Sequence, residues 1–262
     1  MENQLIKYDD EYYVCVSNAF VKANQDLNPV ETKLLRLMIS QIVKTDEKLK
    51  EYTVSSKELS EIFGNAVSDN FYRIDYMEQI TRNLLKQIIK IDYGKKRWDM
   101  FQIFSKCKYD NGLLTMQLHD EMKPFLIALK DKYTQYQIGK IIGMSSNYAI
   151  RIFELIQEKR KSQQDVKFIE NYEFTLEELR TATNTIDKLK QMVHFKTRVL
   201  DIAMREITYN AGYSAEYKEI KNGRKIIGFV IELHPQYSDR GKELLEKYGI
   251  NAVTGMYYKY EK

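Results

Sequence analysis

The sequence predicts an α+β protein built from two small domains related by internal duplication, and three observations predict it. The stretch "YTVSSKELSEIFG" at Tyr52 to Gly64 is echoed by "YEFTLEELRTATN" at Tyr172 to Asn184. Around each copy, segments of helical and strand periodicity follow in the same order. The chain has 262 residues, 44% of them hydrophobic, which is enough for two modest cores or one large one, with two compact domains the better fit.

Each unit opens on an amphipathic helix, "NPVETKLLRLMISQIV" in the first and "SSNYAIRIFELIQEKR" in the second. A short strand follows, then a second helix. At that helix start, Ser55 with Glu58 and Thr175 with Glu178 fit the S/T-x-x-E capping box, in which hydroxyl and carboxylate satisfy backbone N–H groups left unpaired by the first turn. Tyr52 matches Tyr172, Val54 matches Phe174 and Leu59 matches Leu179. A third helix comes next, where "RNLLKQIIKIDYGKKRW" from Arg82 parallels "RVLDIAMREITYN" from Arg198. Each is followed by a basic hairpin signal and a β-rich run, "MFQIFSKCKYDNGLLTMQL" or "YKEIKNGRKIIGFVIEL". Two such units are too few for a solenoid. The expected bounds are 10–130 and 135–237, with the seam in the polar stretch Lys130 to Gln135. A tail, 238–262, carries a short helix at Lys242 to Lys247.

Formal net charge is +4 with a pI near 8.7, so the placement of charge decides what it means. Two cysteines, Cys15 and Cys107, without a CxxC pair or Cys/His ligand spacing, fit a reducing, cytoplasmic setting and no structural zinc. The N-terminal residues lack a basic region followed by an apolar one, and no run approaches the roughly 18 apolar residues of a membrane span.

On a helix running from Leu189 to Thr208, residues at 100° intervals place Leu189, Met192, Phe195, Val199, Leu200, Ile202, Ala203 and Ile207 on one apolar arc. The opposite arc gathers Lys190, His194, Thr197, Arg198, Asp201, Arg205 and Thr208, with Gln191 at its edge. A major groove about 12 Å wide admits one α-helix, and an exposed cluster of this kind has the chemistry to read base edges there. Lys196 falls inside the apolar arc, so it either lies in a first turn or snorkels along the core edge. The turn signal "NGRK" sets Arg224 and Lys225 just past a hairpin tip, where they can touch phosphates or enter a minor groove. The first domain is less basic. Arg73, Arg82 and Lys86 lie on or beside its third helix, Lys95, Lys96 and Arg97 lie in its hairpin, and backbone contacts are expected of it more than base contacts.

No GxxxxGK[ST] loop is present, and His119, His194 and His234 stand far apart without a second metal ligand nearby in the sequence. Tyrosines are abundant, but the paired histidines of a metal-dependent nicking enzyme are missing. The expectation is a protein without catalysis, metal or cofactor.

The doubled order of elements looks like a tandem winged helix. With "YQIGKIIGMSSNYAIRIFELIQ", "FKTRVLDIAMREI" and "KNGRKIIGFVIEL" in the second copy, it resembles the initiator Rep proteins of iteron-containing plasmids over roughly Tyr12 to Pro235. The resemblance implies double-stranded DNA as the partner: a monomer on directly repeated origin sites, and a dimer repressing its own gene. It also implies host helicase machinery as a partner and a dimerising role for the first domain, which Met38, Ile39, Ile42 or the strand "MFQIF" could support. In that family the stretch around Lys196 is basic and DNA-facing, and Thr197 stands where relatives carry a further cation. A winged-helix repressor without an origin role would share the same helix and hairpin.

Overall fold

The computed structural model describes residues 3–64, 68–162 and 164–250, and the chain divides into two compact units after Gly143. The expected seam at Lys130 to Gln135 lies inside the first unit. Tyr133–Gln137 pairs antiparallel with Tyr13–Ser17, which ties this segment to the beginning of its own unit.

The first unit contains β1 (Asn3–Leu5), β2 (Tyr13–Ser17), α1 (Asn18–Lys22), α2 (Pro29–Ile39), β3 (Glu51–Ser55), α3 (Ser56–Phe63) and α4 (Ile74–Lys86). After them come β4 (Ile88–Gly94), β5 (Arg97–Gln102), β6 (Phe104–Asp110), β7 (Leu113–Leu118), α5 (Lys123–Leu126), β8 (Tyr133–Gln137) and α6 (Gly139–Ile142). Helix α2 starts at Asn28, whose side chain accepts from Glu31 N–H while Glu31 returns a bond to the Asn28 N–H, with Pro29 in the first turn. Its Leu34, Leu35, Leu37, Met38 and Ile39 are buried in the core of the unit. Met38 and Ile39 therefore offer no surface to a second copy.

The second unit contains α7 (Asn147–Arg160), β9 (Glu170–Thr175), α8 (Leu176–Ala182), α9 (Met192–Phe195), a π turn (Lys196–Leu200) and α10 (Asp201–Asn210), then β10 (Ser214–Asn222), β11 (Lys225–His234) and α11 (Asp239–Lys247). Helix α7 runs through the middle, buried from Ala149 to Glu158. The expected tail helix is present as α11; residues 251–262 of the expected tail lie outside the described residues.

The duplication is visible in three dimensions. Helices α2, α3 and α4 correspond in order to α7, α8 and the rod 192–210, and β3 corresponds to β9. Both capping boxes form: Ser55 Oγ accepts from Glu58 N–H at 3.1 Å, and Thr175 Oγ1 accepts from Glu178 N–H at 3.1 Å. Each first helix also buries an arginine. Arg36 lies over the Phe20 ring and donates to Gln25, and Arg151 donates to the Ala182 carbonyl and pairs with Glu154.

The hairpins differ from expectation. In the second unit the sheet order is β10-β11-β9, so the hairpin after the third helix pairs with the early strand. In the first unit β3 pairs with β7, and β7 with β6. The basic "YGKKRW" hairpin, β4–β5, forms a separate two-stranded ribbon. By strand pairing, the counterpart of β10–β11 is β6–β7, and its tip is Asn111–Gly112 rather than Lys95–Lys96.

Candidate nucleic-acid interface

The site is built on the rod 192–210. Its first four residues are α-helical, and the Asp201 N–H then bonds back to the Lys196 carbonyl, five residues away, which makes Lys196–Leu200 a π turn. A π turn inserts about one extra residue, so everything beyond Leu200 is rotated by about 100° from the straight-helix projection. The buried face is accordingly Phe195, Val199, Leu200, Ala203, Met204, Ile207 and Thr208. Thr208, expected on the open arc, is fully buried: its hydroxyl donates to the Met204 carbonyl and accepts from Ala215 N–H. Leu189 precedes the helix with φ 49°, outside the rod.

What remains open to solvent is compact. His194, Thr197, Arg198, Asp201 and Arg205 are exposed along the rod, and Lys190 is exposed in the loop just before it. Among the described residues, Arg198 and Arg205 form no ion pair, so their guanidinium groups are available to an outside acceptor. Thr197 and Arg198 sit in the π turn itself, a distortion that concentrates at functional sites. Thr197 Oγ1 donates to the Val193 carbonyl. Asp201 is committed differently from expectation, accepting a 2.8 Å bond from the Tyr217 hydroxyl of β10. Lys196 resolves as a snorkel: it is half-buried and its Nζ lies 2.8 Å from Glu219 Oε1, also on β10. Lys196 and Asp201 thus fasten the rod to the adjacent strand.

Three further residues, not legible as site residues in the sequence, position the rod. Arg180 of α8 donates to the carbonyls of Thr185, Lys188 and Leu189, shaping the loop into the rod, and its guanidinium lies 4.5 Å from the Phe195 ring centroid. Glu206 accepts from the backbone N–H groups of Ser145 and Ser146, capping α7. Glu219 holds Lys196. Each acts across a gap in sequence that periodicity does not register.

The β10–β11 hairpin turns at Gly223 and Arg224, between the paired Asn222 and Lys225. Gly223 carries the left-handed φ of 59° that a two-residue turn of this hand requires at its first central position. Arg224 is therefore in the turn and Lys225 opens the strand; both are exposed. Gly228, facing Thr175, is the first β11 residue to pair with β9, so Lys225, Ile226 and Ile227 run past the sheet by about 10 Å. The crossing is tight: a Cβ at Gly228 would stand 2.3 Å from the Phe174 carbonyl oxygen. In the first unit no such overhang exists, because the first residue of β7, Leu113, already faces Ser55. That unit's wing is also neutralised, with Lys106 bound to Glu51 and Lys108 to Asp110.

The remaining first-unit cations are scattered over two elements. Arg73 precedes α4 and pairs with Asp75, and Arg82 pairs with Glu78. Lys86 is exposed at the end of α4. Lys95 and Lys96 form the two-residue tip of β4–β5 with φ of 51° and 63°, and the Arg97 guanidinium lies over the Tyr93 ring. Exposed ion pairs contribute little to stability, so Arg73 and Arg82 can be redirected to phosphates at small cost. Tyr72 is exposed, whereas Tyr76 packs edge-on against Phe71.

Comparison with known proteins places this geometry. The family model for the initiator replication protein WH1 matches residues 13–157, and that for the initiator Rep protein WH2 matches residues 175–233. The crystal structure of the Pi initiator protein in complex with iteron DNA is similar in fold, with a TM-score of 0.68 at 16% identity, over 88% of this chain and 100% of that one. A structure of domains 2 and 3 of RctB aligns over 80% of this chain and 81% of that one, at 8% identity and a TM-score of 0.43. With most of its length matched by the two models, and with the two capped, duplicated units that they describe, the chain belongs to the initiator replication protein family of tandem winged-helix plasmid initiators.

Proposed function

We propose that this protein initiates replication of a plasmid by binding directly repeated origin sites, iterons, as a monomer, and that as a dimer on an inverted repeat it represses its own gene. The observation that carries the reading is the overhanging wing of the second unit, whose tip residues Arg224 and Lys225 form no ion pair among the described residues, beside the exposed cations of the rod. The rod enters a major groove and Arg198, with His194, Thr197 and Arg205, meets base edges, while Arg224 and Lys225 grip the flanking phosphates. The second unit is the main reader. The first unit follows the backbone through Lys86, Lys95 and Lys96. Its β4–β5 ribbon, which exposes Ile88, Trp98 and Met100, is the dimerising face. Binding helps to open a neighbouring A·T-rich segment and brings in host replication initiator or helicase proteins; it needs no cofactor and takes place in the cytoplasm. No helix among the described residues is long and apolar enough to cross a membrane.

A footprint on the DNA flanking the native gene, combined with a salt titration, tests this. Protection of several tandem repeats is expected, with log Kd against log salt sloping at about 0.9 per phosphate contact. Arg224→Ala with Lys225→Ala should weaken binding to all duplexes alike and lower the slope by roughly 2. A slope near zero would refute groove binding, and protection of a single palindrome alone would favour a plain repressor.

A further inference from the structure

We propose that the base of the second wing is a binding site for a divalent transition-metal ion of the zinc class, held by Glu216, Glu232 and His234. Glu216 and Glu232 are direct partners across the β10–β11 ladder, and His234 lies two residues beyond Glu232 on the same face of the strand. Their ligand atoms all fall within 4.8 Å of one another, and His234 Nε2 is 3.1 Å from Glu216 Oε1. The histidine side chain is 5% exposed, and neither of its ring nitrogens makes a hydrogen bond. A buried imidazole that makes no hydrogen bond, set between two carboxylates, is the kind of unsatisfied group that a bound ion explains. In the sequence only Glu232 stands close to His234; the hairpin brings Glu216 to them from the other strand.

The donor set selects the ion. One imidazole and two carboxylates suit a borderline cation with ligand distances of about 2.0–2.2 Å. Magnesium and calcium prefer all-oxygen sites. Two carboxylates directly opposed across a ladder repel unless a cation lies between them. At present two side chains serve: Arg240 of α11 holds Glu216 through two nitrogens, and Lys218 lies 2.8 Å from Glu232. Both are solvent-facing, at 48% and 65% exposure, and are free to swing away. One divalent ion carries the charge of both, so capture exchanges two monovalent partners for one ion without altering the local charge. Closing the ligand atoms around it requires side-chain rotation only, since all three residues stand on one paired hairpin.

The exchange makes opposite predictions for neighbouring residues, which a casual surface histidine would not. Protein stripped with a chelator is titrated calorimetrically with Zn2+ alone, without DNA, and X-ray absorption reads the ligands. A saturable one-to-one isotherm and a shell of one nitrogen and two protein oxygens are expected. His234→Gln and Glu232→Gln should each weaken binding by about tenfold or more, given that even supporting residues of metal sites are worth 10–100-fold. Arg240→Ala should tighten it, because the guanidinium and the ion compete for Glu216. Thermal melts of the metal-free variants check folding; if His234→Gln does not fold, Glu232→Gln, whose carboxylate is nearer the surface, carries the test. Absence of saturable binding, unchanged affinity in the folded glutamine variants, or failure of Arg240→Ala to tighten binding would each overturn the site.

Discussion

Glu206→Leu isolates the contact that sets the reading rod against the rest of its unit. The Glu206 carboxylate accepts from Ser145 N–H at 3.0 Å and Ser146 N–H at 2.9 Å, and also from the Ser145 hydroxyl. It sits at the N-terminus of α7, whose cap residue Ser146 makes no side-chain cap bond of its own. Leucine is close in volume but has no acceptor, so the part-buried Ser145 and Ser146 N–H groups, which share Glu206 Oε2, both lose their partner, as does the Ser145 hydroxyl. That costs about 1–3 kcal/mol, and loss of the charge at the positive end of the helix dipole adds about 0.3–1 kcal/mol. A total of roughly 1–4 kcal/mol is a large part of the about 5–15 kcal/mol that holds a typical domain together. For a unit of this size it corresponds to a fall in Tm on the order of 10 °C. Differential scanning calorimetry and urea unfolding should report the loss with an unchanged m-value, and DNA affinity should fall at temperatures where the rod loosens. A Tm within about 2 °C of wild type would refute the argument that this carboxylate caps α7.

Arg198→Ala should cost about 1–3 kcal/mol on the cognate repeat and relax preference at one base pair, while stability changes by no more than roughly 0.5 kcal/mol; a panel of single-base variants and a thermal melt on the same protein check both. Lys95→Asn with Lys96→Gly removes two left-handed lysines from the β4–β5 tip and installs the pair that such a turn prefers. It should stabilise the first unit by about 1–2 kcal/mol and weaken DNA binding at low salt, whereas a loss of stability would mean that the lysines hold the ribbon together. Burial pushes the Cys107 thiol up to about 12 and raises that of Cys15, against a partial opposing effect from Lys44. Both should therefore remain protonated at pH 8, react with iodoacetamide slowly in the native protein and rapidly once it is denatured, as mass spectrometry would follow.

The amino-acid sequence by itself determined the features whose causes lie within a few residues. The capping boxes at Ser55 and Thr175 and the turns at Gly223 and Gly112 depend on side chains meeting their own backbone, and the chain carries that information locally. The duplication followed from the repeated order of such signals, and the tandem winged-helix class from the family resemblance that this order and the second-copy motifs carry. What only the tertiary structure decided is which distant segments meet. Both first-unit hairpins have turn signals and strand periodicity, and nothing local says that β3 takes β7 and leaves the lysine-tipped ribbon unpaired with it. The straight-helix projection placed Thr208 outside and passed over Met204, because a π turn depends on packing and the projection assumed constant pitch. Lys196 with Glu219, Asp201 with Tyr217, and Glu206 with Ser145 are joined across 23, 16 and 61 residues. Such pairs form only after the sheet and helices have brought their ends together, so they are products of the fold and leave no periodic trace in the sequence that makes it.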